Sequence, residues 1–304
     1  MLAERIIQTL KFFDLQDYPL TALEVERYLI ADRLPLRKRL DEHFELQSTE
    51  KPPGSVHLDT ILLQLTALIQ DGKILHTDGF YTLPGRQHLV QQRLINYRYG
   101  LRREKLIRRY VWFTKYLPFV RGIALGGSQA LGLQKPTSDI DLLIITDPKH
   151  MWLARTFLMG YFQLFGVRRY GHKIANRFCL NHYLAAPREV DAERNLYKAM
   201  EYGRLRPLVF PATVSAFLQA NASWMKIFFP NLNVRSISST PSPTIQRFLE
   251  RILNGVFGAW LEKILGHWQG SRIRQDQFVF VRSDELSFHP ESKHTELLQG
   301  FFGK

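Results

Sequence analysis

A Gly-Gly-Ser turn followed at short range by an Asp-x-Asp pair constrains this chain more than any other feature. The residues run Leu125-Gly126-Gly127-Ser128-Gln129-Ala130-Leu131-Gly132 and then Ser138-Asp139-Ile140-Asp141-Leu142-Leu143-Ile144. The apolar run 120–125 predicts a strand, and the next helix is expected to begin near Ser128. Glycine lets a backbone approach a ligand with no Cβ in the way. A helix start offers unpaired N–H groups and a partial positive charge, and Ser128 adds a hydroxyl. Gly126, Gly127 and Ser128 are therefore the expected phosphate site.

Asp139 and Asp141 open a second expected strand, residues 140–146. Strand side chains two apart share a face, so these carboxylates stand together and require a cation. Mg²⁺, with Mn²⁺ as the alternative, suits an all-oxygen set completed by substrate phosphates. Metal there would bridge a triphosphate and orient an attacking oxygen for in-line displacement. A helix over 151–165 and a third strand over 178–184 follow, and this alternation predicts an α/β domain with a mixed sheet.

The segment "GGSQALG…SDIDLLII" resembles the Gly-Ser…Asp-x-Asp signature of the DNA polymerase β-like nucleotidyltransferase superfamily. The stretches "GFYTLPGR", "RFCLNHYL", "NLYKAMEYGRLRPLV" and "NASWMKIFFPN" are similar to a bacterial group of predicted nucleotidyltransferases with a winged-helix front. The resemblance implies Mg²⁺-dependent transfer of a nucleoside monophosphate from an NTP, ATP among them, to an acceptor that the resemblance does not name. It implies that Gly127 and Ser128 hold the phosphates and that Asp139 and Asp141 are the catalytic metal ligands.

The superfamily's third carboxylate, on a later strand, has no counterpart in Phe178-Cys179-Leu180-Asn181-His182-Tyr183-Leu184. Asn181 is the positional candidate for the third metal ligand, and an amide is no base at neutral pH. His182 could be one, but its neighbour in the strand faces the other way. Asp191 and Glu193 follow on a loop. Lys173, Arg177 and Arg155 are candidates for meeting phosphate or an acidic substrate.

Residues 1–85 read as three helices and a hairpin around Asp78-Gly79, a pattern that resembles a winged-helix domain. The third helix, 59–71, contains no Lys or Arg, which counts against its reading a major groove. Residues 31–55 read as an irregular insertion. Residues 86–117 read as a basic connecting helix: from Arg86 to Arg121 there are ten Lys/Arg and one acid, Glu104. Arg98, Arg102, Lys105, Arg108 and Arg109 could form a solvated face or a path for a polyanion. Residues 118–191 form the expected nucleotidyltransferase core, and 192–304 a helical C-terminal region with one amphipathic helix over 245–268 and a short strand near 278–281.

The formal charge of +13 favours an anionic partner, nucleic acid or a phosphorylated molecule. The single cysteine, Cys179, excludes an intrachain disulfide and fits a reducing cytoplasm. The first residues do not read as a signal peptide, and no apolar stretch reaches membrane-spanning length, so no membrane partner is expected. Two functions follow: a nucleotidyltransferase, or a nucleotide-responsive regulator that binds DNA or protein through a catalytically weakened domain.

Overall fold

The computed structural model describes residues 1–32, 34, 36–38, 44–46, 54–185, 194–273, 280–281, 285–288 and 292–303. Helix α1 (Leu2–Asp14) buries Ile6, Leu10 and Phe13 at helical spacing. Strand β1 (Leu20–Thr21) leads into α2 (Ala22–Arg27), which opens on a capping box. The Thr21 hydroxyl accepts from Glu24 N, and the Glu24 carboxylate accepts from Thr21 N at 3.0 Å. Within the expected insertion, β2 (Leu36–Lys38) and β3 (Phe44–Leu46) pair antiparallel, and most other residues of 31–55 lie outside the described set. Helix α3 (Leu58–Gln70) buries Ile61, Leu65 and Leu68.

Strands β4 (Leu75–Thr77) and β5 (Phe80–Thr82) form the hairpin read from the Asp-Gly pair. Both turn residues take positive φ, Asp78 at 51° and Gly79 at 82°, as the tightest hairpin turns demand. Pairing of Leu20 with Tyr81 adds β1, giving the order β1-β5-β4.

Helix α4 (His88–Val111) ends in a 3₁₀ turn over Trp112–Tyr116. Arg98, Arg102, Lys105, Arg108 and Arg109 all lie on its exposed side, whereas Gly100 and Arg103 face inward. A Cβ on Gly100 would overlap the Gln134 side-chain amide, so α4 packs flush against the loop that follows the Gly-Gly-Ser turn.

The remaining elements are β6 (Val120–Leu125), α5 (Gly127–Leu131), β7 (Ile140–Thr146), α6 (Met151–Leu164), β8 (Phe178–Ala185), α7 (Leu196–Gly203), β9 (Arg206–Val209), α8 (Pro211–Ala220), α9 (Ala222–Phe228), α10 (Thr244–Leu253), α11 (Val256–Ile273), β10 (Phe280–Val281), β11 (Glu285–Ser287) and α12 (Ser292–Phe302). The expected mixed sheet is present, in the order β10-β11-β8-β7-β6-β9. Only the β7–β8 pair among these is parallel, with α6 in the crossover.

Strand β7 is buried on both faces, which is why it reads as a nearly unbroken apolar run. Ile140, Leu142 and Ile144 pack towards α4 and α6. Leu143 and Ile145 pack into a second core shared with α1, α2, α3, α7 and α9. Period two places Asp141 on the face of Leu143 and Ile145, towards the N-terminal helices and α7.

Two expectations change. The helical reading of 192–304 leaves out β9, an edge strand on β6 that tolerates Pro207 because an edge position need not donate on both sides. The single helix over 245–268 is broken at Asn254-Gly255 into α10 and α11. Each half turns its acid inward. Glu250 accepts from Phe119 N at 2.7 Å and Arg121 at 2.6 Å, and Glu262 accepts from Trp152 N and Leu153 N at 2.8 Å, capping α6. Among the described residues, no helix is long and apolar enough to cross a membrane.

Candidate functional site

Strand β6 delivers the chain to Gly126, whose extended backbone still donates to Asp141 O at 3.0 Å. At Gly127 the chain turns with φ +56°, a conformation that costs an L-residue about 1–2 kcal/mol. A Cβ there would also lie 2.7 Å from Asp141 Cγ and 2.8 Å from Asp141 Cβ. Both constraints demand glycine, and together they press the turn against the carboxylate.

Helix α5 is only five residues long, closed by Gly132 at φ +71° and by Leu133 N donating to Ser128 O at 2.9 Å. Its macrodipole is correspondingly small. An anion bound at this turn would depend on backbone N–H groups and the missing Cβ rather than on a long helix axis.

Asp139 lies just before β7 and Asp141 within it. The parallel register sets Asp141 beside Cys179, and a bulge follows, so that Leu143 pairs with His182. Carboxylate oxygens of Asp139 and Asp141 and the Cys179 sulfur all lie within 4.8 Å of one another. Arg169 Nη1 donates to Asp139 Oδ2 at 2.6 Å and reaches Cys179 Sγ at 3.5 Å. Burial pushes the Cys179 thiol up to about 12. The Asp141 and Asp139 charges add to this, and Arg169 opposes it.

These residues line a cleft of about 920 Å³ together with Gly127, Ser128 and Ser138. Tyr197 and Glu201 of α7 and Glu296 of α12 also line it. Glu201 pairs with Lys198 at 3.0 Å. Burial, then the Glu201 charge, raise the Tyr197 hydroxyl, and Asp141 adds to the same shift. Thus α7 brings a carboxylate to the cleft that the search along β8 could not find.

The donor set fits a divalent cation. Two carboxylates converge on one wall, a cradle is kept open by the absent Gly127 Cβ, and a guanidinium already balances part of their charge. Mg²⁺ would be held by Asp139 and Asp141, since a buried neutral thiol is a poor ligand for so hard an ion.

The other sequence candidates are distributed elsewhere. Lys173 is exposed and Arg177 half-buried in the turn before β8, and neither is among the described residues lining the cleft. Arg169 is the guanidinium that reaches the carboxylates instead. The backbone of Asn181 lies in the bulged part of β8, and its side chain is outside the described residues, as are Asp191 and Glu193. His182 is buried and its Nε2 lies 3.0 Å from Glu285 Oε1 on β11. Arg155 is buried against Gln269, with its guanidinium over the Tyr183 and Phe288 rings.

Arg103 was hidden among the ten basic residues. It is buried, and it donates to Lys135 O at 2.6 Å, Pro136 O at 3.1 Å and Asn176 Oδ1 at 2.7 Å. The bonds to Lys135 and Pro136 hold the loop between Ser128 and Asp139, and the Asn176 bond ties it to the turn before β8. Burial lowers its pKa, with the Asp139 charge acting in the opposite sense. The only sequence signal for its role is its position: it sits on the Gly100 side of α4, one turn on.

No curated protein and no solved structure shows significant similarity to the chain. Residues 106–201, which contain the Gly-Gly-Ser turn, Asp139, Asp141, Cys179 and Glu201, match the family described as Nucleotidyltransferase domain.

Proposed function

We propose that the protein is a metal-dependent nucleotidyltransferase that transfers a nucleoside monophosphate from an NTP to an acceptor oxygen. The observation that carries this reading is the convergence of the Gly127 turn and the Asp139/Asp141 pair on one cleft. The acceptor oxygen bonds to the α-phosphorus, the bond to the β-phosphate bridging oxygen breaks, and its electron pair leaves with pyrophosphate. Backbone N–H groups of Gly127 and Ser128 bind the departing phosphates. Mg²⁺, or Mn²⁺, on Asp139 and Asp141 would neutralise the charge that develops there. Glu201, lining the same cleft, takes the acceptor proton.

The three N-terminal helices with the β1-β5-β4 sheet fit a winged-helix unit. Helix α3 has no Lys or Arg and exposes Leu63, so its surface suits a protein better than DNA. A polyanionic acceptor would be received on the basic outer face of α4.

The test is pyrophosphate release from labelled NTPs with Mg²⁺ or Mn²⁺ over a broad acceptor panel. Turnover in the wild type, reduced at least about 10²-fold by Asp139→Ala/Asp141→Ala, is expected. Turnover that the double variant leaves unchanged contradicts the reading. The regulatory alternative is favoured by one contact, the Arg169–Asp139 pair on a site with a thiol in third place. It requires no turnover, together with nucleotide-dependent retention of a partner.

A further inference from the structure

Strand β8 sets Cys179, not a carboxylate, beside Asp141. The sulfur shares one 4.8 Å cluster with the Asp139 and Asp141 oxygens, and all three residues face the cleft that holds Gly127 and Ser128. From this arrangement we infer that Cys179 is the third metal ligand, and that the O, O, S set prefers a borderline divalent ion of the Zn²⁺/Co²⁺ class over Mg²⁺. The inference rests on the nucleotidyltransferase reading of the same site and sharpens its metal.

Three observations carry it. First, ligand type: Mg²⁺ demands near-octahedral oxygen at about 2.0–2.1 Å, whereas Zn²⁺ and Co²⁺ accept thiolate and carboxylate together. Second, position: Cys179 is buried on the sheet with its neighbours fixed by strand register, so the sulfur is preorganised. Third, a cation is already there. The Arg169 guanidinium lies 2.6 Å from Asp139 Oδ2 and 3.5 Å from Cys179 Sγ. Those are two of the three atoms that a metal would use. Arg169 is 44% exposed on its side chain and can swing aside. Metal therefore competes with Arg169, and on binding sulfur it releases the thiol proton to solvent.

The experiment is a Co²⁺ titration of the full chain without nucleotide, followed by absorption spectroscopy. A sulfur-to-cobalt charge-transfer band that saturates with one equivalent is expected. Cys179→Ser abolishes the band and weakens Co²⁺ and Zn²⁺ by at least about tenfold while leaving Mg²⁺ within about twofold. Cys179→Asp shifts the preference towards Mg²⁺, and Arg169→Ala tightens Co²⁺ severalfold because its competitor is gone.

The wild-type spectrum needs no variant to fold. Co²⁺ that binds with no charge-transfer band, and is lost only in Asp139→Asn/Asp141→Asn, overturns the sulfur ligand and leaves the nucleotidyltransferase reading intact. Failure of every divalent ion to bind the wild type, with or without NTP, overturns both.

Discussion

Gly127 and Asp141 are in backbone-to-side-chain contact so close that a Cβ on the glycine would lie 2.7 Å from the Asp141 Cγ. The Gly-Gly-Ser turn and the Asp141 carboxylate are thus one unit, joined also by Gly126 N donating to Asp141 O at 3.0 Å. Gly127→Ala must strain φ +56° and push Asp141 away. Nucleotide affinity should fall at least about tenfold, with about 1–2 kcal/mol of stability lost to the backbone alone. Gly126→Ala meets only Leu205 Cδ2 at 3.5 Å, with φ −122°, and should stay within about twofold of wild type. Isothermal titration of the two variants separates these outcomes, and equal behaviour would remove the coupling.

Glu24 ties the N-terminal helices to the rest of the chain. It accepts from Arg93 at 2.7 and 2.8 Å and from Tyr18 Oη at 2.7 Å, and Arg204 lies 3.6 Å away. Burial alone would raise its carboxyl. The bonds and charge of Arg93, with Arg204, outweigh that and hold it at about 2 against an ordinary 4.5. The folded value lies below the unfolded one, so this stability is complete above pH 4.5 and is lost as pH falls towards 2. The shift corresponds to on the order of 3 kcal/mol. Urea midpoints for the wild type and Glu24→Gln should therefore differ clearly at pH 7 and converge in acid. A gap independent of pH would refute the assignment.

Arg103 holds two carbonyls, Lys135 O and Pro136 O, on the loop between the Gly-Gly-Ser turn and the Asp pair, and Asn176 Oδ1 in the turn before β8. Arg103→Met keeps the aliphatic stem but orphans Lys135 O and Asn176 Oδ1, at a cost of about 3 kcal/mol. Limited proteolysis should cut the variant first within residues 133–138. Wild-type resistance in that loop would show that Arg103 does not hold it.

Glu201 is the proton acceptor proposed above. Glu201→Gln should lower kcat by about 10²-fold or more and leave NTP affinity within about twofold. Steady-state kinetics beside equilibrium binding reads both. Glu296→Gln, on helix α12, should keep most of kcat, and the reverse order would move the base to Glu296.

Much of this was legible in the chain because period and spacing encode it locally. The run Ile140–Thr146 and the Asp-x-Asp at its start fix a strand and a shared face. The Asp78-Gly79 pair fixes a hairpin. What was not legible depends on contacts distant in sequence. Cys179 meets Asp141 through a bulged parallel register, and no local pattern distinguishes it from Asn181 two residues later. Arg169 comes from the crossover before β8, and Glu201 from a helix that reads as an ordinary core helix. Arg103 differs from Arg102 only in the direction it faces, which its bonds to Lys135 O, Pro136 O and Asn176 Oδ1 decide. Strand β9 was missed because a four-residue edge strand containing proline carries almost no periodicity.

The most direct test of the central claim is equilibrium binding of a non-hydrolysable NTP analogue, with and without divalent metal, to the wild type and to Asp139→Asn/Asp141→Asn. The account predicts saturable binding that needs the metal and that the double variant loses. Binding that ignores the metal, or that survives loss of both carboxylates, would contradict it.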